Sequence, residues 1–190
     1  MHDFVLFDGG MKKLPRAHQY IGVKKAQAEV RQKKGGIIWH TQGSGKSIVM
    51  LLLAKWILEN NSNARVAVIT DRDELDKQIE GVFTSAGIRI ARSTSGRDLM
   101  KQLGQAAPRL LCSLVHKFGN KDVDNFEAYI KELEAQPSLT VGEVFVCVDE
   151  CHRTQSGKLH RLMKARMLNA VFIGFTGTPL LKKDARWRMA

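Results

Sequence analysis

Short apolar runs alternate with longer amphipathic stretches along this chain, and that alternation predicts strands followed by helices. The apolar runs, several of them rich in β-branched residues, predict strands at 36–40, 65–70, 88–90, 109–113, 144–148 and 171–175. The stretches between them predict helices at 15–33, 45–59, 71–87, 99–103, 124–134 and 157–168. Residues 1–14 follow neither pattern, so we expect them to be irregular, with a turn at Asp8-Gly9-Gly10.

Strands that alternate with helices favour a parallel sheet, because a helix must return the chain to the start of each parallel strand. The run at 144–148 is apolar at every position. Such a strand is typical of a sheet that helices cover on both faces. We therefore expect an α/β fold of three layers, with a mostly parallel central sheet flanked by helices.

The chain of 190 residues is long enough for one domain with a substantial core. No apolar run approaches the roughly 18 residues of a membrane span, and the N-terminus does not resemble a signal peptide. The three cysteines, Cys112, Cys147 and Cys151, are few and odd in number. We interpret them as reduced core thiols of a cytoplasmic protein, since no second pair would complete a zinc site with Cys147 and Cys151.

Positive charge is the strongest feature of the composition. Lysine and arginine number 30 against 19 acidic residues, which gives a net charge of +11. The basic residues cluster at 12–13, 24–25, 31–34, 158–166 and 182–188. A polyanion is the natural partner of such a surface, and nucleic acid is the commonest one, although part of the charge is a solvated face.

The segment His40-Thr41-Gln42-Gly43-Ser44-Gly45-Lys46-Ser47 lies between a predicted strand and a predicted helix. Glycines let backbone N–H groups turn toward phosphate oxygens, and the following helix adds its N-terminal dipole. In this setting Gln42, Gly43, Ser44 and Gly45 would surround phosphate, Lys46 would contact the β- and γ-phosphates, and the Ser47 hydroxyl would hold Mg²⁺. His40 stands where the general pattern has glycine. The alternative is a flexible Gly/Ser loop before a helix.

Two adjacent acids, Asp149 and Glu150, follow the apolar strand at 144–148. Ligands bind at the carboxyl ends of parallel strands. There one carboxylate can hold a metal ion while a second polarises the attacking water, which favours hydrolysis over simple binding. The alternative is a pair of solvated acids in a turn.

Several motifs resemble those of superfamily-two helicases and translocases. Asp149-Glu150-Cys151-His152 resembles their DExH form of the Walker B motif, and the segment 174–179 resembles their third motif. The segment 70–79 resembles a DNA-contacting segment, and Gln19 resembles the glutamine that contacts adenine. A helicase phosphate loop need not begin with glycine, so His40 fits this family.

The combination of motifs resembles the restriction (R) subunit of type I restriction–modification enzymes. It comprises the segments 40–47, 71–79, 114–118, 149–155 and 175–180. The resemblance spans about residues 14 to 181. It implies a P-loop NTPase (RecA-like) domain of an ATP-driven motor that pulls double-stranded DNA toward a complex with modification and specificity subunits before cleavage.

The resemblance also assigns roles to individual residues. Lys46 and Glu150 would be catalytic, and Gln19 would contact ATP. Ser47 and Asp149 would hold Mg²⁺. The resemblance further implies that His152, Thr176 and Thr178 couple the nucleotide to DNA movement. It places Arg72 and Gln78 near the DNA. The alternatives are that Gln19 is a helix surface residue, that Arg72 caps its own helix and that the threonines merely end a strand.

The resemblance divides the chain into three parts. Residues 1–14 would be an N-terminal lead-in, 15–181 the first RecA-like lobe, and 182–190 a truncated link toward a second lobe that lies outside this sequence. A nuclease domain would precede residue 1. Because the second lobe normally supplies a stabilising arginine, we expect weak ATP binding and little turnover from this lobe alone.

Three other functions fit parts of this pattern. Another superfamily-two helicase or translocase shares most of the motifs, and only its flanking domains would differ. A P-loop kinase or nucleotide switch that never touches DNA is disfavoured by the adjacent acids and by the charge. A binding module without catalysis is disfavoured by the intact Lys46, Ser47, Asp149 and Glu150.

Overall fold

The strands form one parallel sheet and one small hairpin. The computed structural model describes residues 4–8, 10–70, 73–85, 87–94, 96–114, 140–151, 164–165, 167 and 169–178. Its strands are β1 (Leu6–Asp8), β2 (Met11–Lys13), β3 (Gly36–Trp39), β4 (Ala64–Thr70), β5 (Ile90–Arg92), β6 (Leu110–Leu114), β7 (Glu143–Val148) and β8 (Val171–Thr176). The helices are α1 (Ala17–Arg31), α2 (Lys46–Asn60), α3 (Asp73–Ser85) and α4 (Gly96–Leu103).

Six strands pair in the order β3-β8-β7-β4-β6-β5, and every neighbouring pair is parallel. The last strand in the sequence, β8, therefore lies between β3 and β7. Parallel strands end at the same edge of a sheet, so the carboxyl ends of β3, β8, β7 and β4 are spatial neighbours. The predicted parallel sheet is confirmed.

Helices cover both faces of the sheet, as predicted. Along β4, Val66 and Val68 belong to a core that includes α1, α2 and α3. The alternate residues Ala67 and Ile69 belong to a second core that includes α4. This alternation follows from the strand period of two, and it makes β4 buried at every position. The architecture is the expected three-layer α/β fold.

Two predicted elements differ from the structure. Residues 1–14 were expected to be irregular, but β1 and β2 form an antiparallel hairpin whose three-residue strands are too short to show a periodic pattern. The strand predicted at 88–90 lies at Ile90–Arg92 instead. The Ile88 N–H donates to the Phe83 carbonyl oxygen, 2.9 Å away, so this residue is part of the turn that ends α3 and not of the strand. The helix predicted at 124–134 and most of that at 157–168 lie outside the described residues.

Candidate nucleotide-binding site

Four neighbouring strand ends bring the predicted site residues together at the carboxyl edge of the sheet. The glycine-rich loop follows β3, and Thr176 ends β8 and begins the turn to Thr178. Asp149 and Glu150 follow β7, and Thr70 ends β4. The order of these strands in the sheet differs from their order in the sequence. It explains how a loop near residue 43 meets acids near residue 150.

Two glycines give the loop its shape. Gly43 and Gly45 have φ angles of 77° and 80°, in the left-handed region that side chains rarely adopt. Gly45 also caps α2, whose first residue is Lys46. A Cβ atom at Gly45 would lie 2.3 Å from Gln19 Nε2, whereas one at Gly43 would meet nothing within 4 Å. Glycine is therefore required at 45 for two reasons and at 43 for one.

Gln19 lies on α1 but contacts the loop. Its Nε2 donates to the Ser44 carbonyl oxygen at 2.8 Å, and its Oε1 accepts from the Arg16 N–H at 2.8 Å. The side chain is buried, so Gln19 is not a helix surface residue. Its predicted contact with adenine stays a prediction, but its contact with the phosphate loop is part of the fold.

The predicted catalytic pair is in contact. The Nζ atom of Lys46 lies 3.9 Å from the Oε1 atom of Glu150, and each side chain is only 8% exposed. Glu150 has a φ angle of 44°, a backbone conformation that costs free energy for a residue other than glycine. The chain therefore holds this carboxylate beside the phosphate-loop lysine at some cost in backbone strain.

Asp149 is fixed from the neighbouring strand. Its N–H donates to the Ile69 carbonyl oxygen at 2.8 Å, and the Thr70 hydroxyl donates to its Oδ2 atom at 3.5 Å. Asp149 is also buried. Burial raises the pKa of the adjacent Cys151 thiol, and the nearby carboxylates of Glu150 and Asp149 raise it further, to about 12. This corner of the site therefore has a negative electrostatic potential, which suits a cation.

The turn after β8 packs against the loop. The Thr176 hydroxyl donates to the Thr178 carbonyl oxygen and accepts from the Thr178 N–H, both at 3.1 Å. The His40 N–H donates to the Thr176 carbonyl oxygen at 3.1 Å. A Cβ atom at Gly177 would lie 3.2 Å from Lys46 Nζ. The two predicted coupling threonines therefore form a compact turn beside the phosphate-loop lysine.

His40, which departs from the general loop pattern, packs against α1. A Cβ atom at Gly22 would lie 3.0 Å from His40 Nε2, so the close approach of the ring uses a glycine on that helix. The His18 ring meets His40 edge-on, and its Nε2 lies 3.1 Å from the Ser44 carbonyl oxygen. Burial, followed by His18 and Lys46, lowers the pKa of His40, so the ring is neutral near pH 7.

The remaining predicted site residues divide into two groups. Ser47 is the second residue of α2 and half-buried, Gln42 is exposed on the loop, and Gln78 lies half-buried on α3. Arg72 and His152 lie outside the described residues, as does the segment 115–118. The structure thus groups the phosphate-loop, acidic and Thr-Gly-Thr residues at one edge of the sheet. Of the two predicted DNA contacts the described residues include only Gln78, and the described part of the DExH motif ends at Cys151.

Two residues of the site, Trp39 and Gly22, were not predicted from the sequence. Trp39 donates from its indole Nε1 to the Gly177 carbonyl oxygen at 3.2 Å, and Gly22 makes room for the ring of His40. In the sequence Trp39 is simply part of an apolar strand. The one indication in the sequence is that an aromatic residue stands directly before the loop. The structure shows that Trp39 is 53% exposed there.

A glycine-rich loop that opens a helix, with two carboxylates and a Thr-Gly-Thr turn at adjacent ends of a parallel sheet, defines a P-loop nucleotide-triphosphatase domain. The comparisons with known proteins narrow this class. The SWI2/SNF2 ATPase family model matches residues 18–189, and the chain belongs to that family.

Similar curated proteins carry type I restriction names. A putative type I restriction enzyme MjaIXP endonuclease subunit of Methanocaldococcus jannaschii is 31% identical, and the match covers 97% of this chain. The HindI endonuclease subunit of Haemophilus influenzae is 32% identical over 95% of this chain. The chain spans only 18% and 19% of the length of these two relatives.

Solved structures share the fold at low sequence identity. The Sulfolobus solfataricus SWI2/SNF2 ATPase core, solved in complex with dsDNA, has a TM-score of 0.62 and 15% identity, covering 90% of this chain and 33% of that one. Bacteriophage T4 UvsW has a TM-score of 0.57 and 15% identity, covering 92% and 32%. Within the described ranges, no helix is both long and apolar enough to cross a membrane.

Proposed function

We propose that this chain is the ATP-binding first motor lobe of a type I restriction enzyme R subunit, which couples ATP hydrolysis to movement along double-stranded DNA. The observation that carries the proposal is the buried contact between Lys46 and Glu150. It joins a phosphate-binding group that follows β3 to a candidate base that follows β7, with β8 between them. The restriction names of the similar proteins support the particular motor.

The loop residues would bind the phosphates of ATP. Backbone N–H groups at the start of α2 point toward the loop, and the positive end of the helix dipole favours an anion there. Lys46 adds a full charge at the β- and γ-phosphates. Glu150 would accept a proton from the attacking water, because its carboxylate lies 3.9 Å from this lysine and is therefore beside the proposed phosphate site.

Mg²⁺ fits the oxygen donors at this site. It prefers hard oxygen ligands and usually combines one or two carboxylates with substrate phosphates. Asp149 is a buried carboxylate, and the Ser47 hydroxyl follows the phosphate-loop lysine. Among the described residues no group of three His, Cys, Asp or Glu side chains could hold a metal ion. When bound, Mg²⁺ would offset the charge of the phosphates.

DNA binding is supported by charge and by family. The net charge of +11 favours the phosphate backbone, and the similar Sulfolobus core was solved with dsDNA. In this proposal Thr176, Thr178 and His152 couple the nucleotide to DNA movement, and Arg72 and Gln78 lie near the DNA. The modification and specificity subunits would be partners of the complete protein, which we place in the cytoplasm.

Nucleotide binding is tested by titrating a fluorescent ATP analogue against the chain and against Lys46→Ala. We expect the substitution to reduce affinity at least tenfold, because it removes the charge that contacts the terminal phosphates. Lys55→Ala is the matched control. This lysine lies on the same helix but pairs with Glu59, so its loss should leave affinity unchanged. Equal affinity of Lys46→Ala and the unsubstituted chain would contradict the phosphate-loop assignment.

DNA binding is tested by the dependence of affinity on salt. Release of counterions from a duplex gives a steep linear fall of log K with log salt, with a slope of about −0.9 per phosphate contacted. We expect such a fall for random-sequence duplexes. An affinity that does not change with salt would contradict the DNA role while leaving nucleotide binding intact.

A further inference from the structure

Trp39 forms a side-chain link between the start of the phosphate loop and the Thr176–Thr178 turn. It is the last residue of β3, an edge strand, and its Cα partner on β8 is Thr176. The indole N–H of Trp39 donates to the carbonyl oxygen of Gly177, the residue after Thr176, at 3.2 Å. With the backbone bond from His40 to Thr176, it ties the turn to the loop at two adjacent points.

Packing does not explain a tryptophan at this position. Trp39 is 53% exposed, so a large part of the ring faces solvent instead of the core. A hydrogen-bond donor at the end of a long, rigid side chain is what tryptophan offers here and phenylalanine lacks.

The linked turn lies against the lysine that would contact the terminal phosphates. A Cβ atom at Gly177 would lie 3.2 Å from Lys46 Nζ and 3.4 Å from the Gln42 backbone nitrogen. Any displacement of the turn therefore changes the space around Lys46. ADP and ATP share the contacts of the loop with the inner phosphates, so the space beyond Lys46 matters most for the γ-phosphate.

We propose that Trp39 is a positioning residue that holds the Thr176–Thr178 turn against Lys46 and thereby favours ATP over ADP. This inference rests on the proposed ATP-binding function and adds to it a determinant of triphosphate preference. A neutral hydrogen bond changes an equilibrium by a factor of roughly five. Loss of the indole N–H should therefore lower the preference for ATP by about that factor.

The test compares Trp39→Phe with Trp56→Phe in the same chain. Trp56 lies near the far end of α2, about 15 Å along the helix from Lys46, so it is an indole outside the site, although it is buried in the core. Affinities for ADP and for a non-hydrolysable ATP analogue are measured by calorimetry. We expect Trp39→Phe to weaken binding of the analogue about fivefold with little change for ADP, and Trp56→Phe to change neither affinity.

Three outcomes would overturn the inference. Unchanged affinities in Trp39→Phe would show that the link is without effect, and equal losses for both nucleotides would indicate a structural role only. If the unsubstituted chain binds neither nucleotide, the proposed function itself fails. That last result is distinct from the other two because it appears before any substitution is made.

A second measurement keeps Trp39 in place, in case Trp39→Phe does not fold. Replacing Trp56 and Trp187 with phenylalanine leaves Trp39 as the only tryptophan. Its emission should respond differently to the ATP analogue and to ADP, because the proposed link lies at the γ-phosphate end of the site. The same emission change with both nucleotides, at saturating concentrations, would contradict the proposal.

Discussion

Gly45→Ala should destabilise the protein more than Gly43→Ala, although both glycines have the same backbone conformation. Their φ angles are 80° and 77°. An alanine in the left-handed region costs about 1–2 kcal/mol relative to ordinary backbone. The loss of glycine flexibility in the unfolded chain returns about 0.4–1 kcal/mol. The net cost of backbone conformation is therefore about 1 kcal/mol at either position.

The difference between the two positions comes from Gln19. At Gly45 the new methyl group would lie 2.3 Å from Gln19 Nε2, far inside van der Waals contact, whereas Gly43 has open space around it. The amide must move, and it then loses its bonds with the Ser44 carbonyl oxygen and the Arg16 N–H. Each such bond contributes about 1 kcal/mol, so Gly45→Ala should cost about 3 kcal/mol in all.

Urea unfolding followed by circular dichroism measures both costs, and a double-mutant cycle identifies their cause. In a Gln19→Ala background the obstructing amide is gone, so Gly45→Ala should cost no more than Gly43→Ala, which implies a coupling of about 2 kcal/mol. Strict additivity of Gln19→Ala and Gly45→Ala would refute this reasoning. So would equal destabilisation by the two glycine substitutions in the unsubstituted chain.

Three further predictions concern parts of the fold away from the loop. Arg65→Ala should lower the unfolding free energy by about 3–5 kcal/mol in urea titrations, because the buried guanidinium donates to three backbone carbonyl oxygens; a loss below 1 kcal/mol would contradict this. Hydrogen bonds from Lys33 and Asn61 hold the pKa of Glu143 below its ordinary value. The ionised Glu143 should therefore stabilise the fold at pH values above its ordinary pKa, and this stabilisation should be lost as the pH falls through the lowered pKa. The difference in unfolding free energy between the unsubstituted chain and Glu143→Gln should shrink in acid; a difference that does not change with pH would oppose this. Burial raises the pKa of Cys147 to about 12, so iodoacetamide at pH 8 should modify this thiol only after urea unfolds the chain; rapid labelling of the folded chain would count against it.

Local patterns predicted most of the fold because the core strands are buried on both faces. The runs at 65–70, 144–148 and 171–175 each lie within a strand whose bounds differ from the prediction by at most one residue. The hairpin of β1 and β2 was missed because two strands of three residues are defined by hydrogen bonding rather than by periodicity. The order of the strands was also beyond the sequence, since it depends on which distant segments pair.

The candidate site shows the same division. Lys46, Asp149 and Glu150 could be predicted as site residues because their proposed chemistry is tied to short motifs that follow strands. Trp39 was missed because its contact with Gly177 exists only once β8 lies beside β3, and the two residues are 138 positions apart. Contacts across neighbouring strand ends have no local signal, so a single sequence predicts the reacting groups better than the groups that position them.

In the proposed function, the contact between Lys46 and Glu150 would link phosphate binding to the position of the candidate base. In the structure Lys46 Nζ and Glu150 Oε1 lie 3.9 Å apart, and both side chains are buried. A triphosphate would bring several negative charges to the same lysine, and Lys46 would then exchange its carboxylate partner for phosphate. Glu150 would lose this contact, so its carboxylate would be able to turn toward the attacking water. One lobe would therefore connect occupancy of the loop to the placement of the candidate base, before any second lobe or DNA contributes.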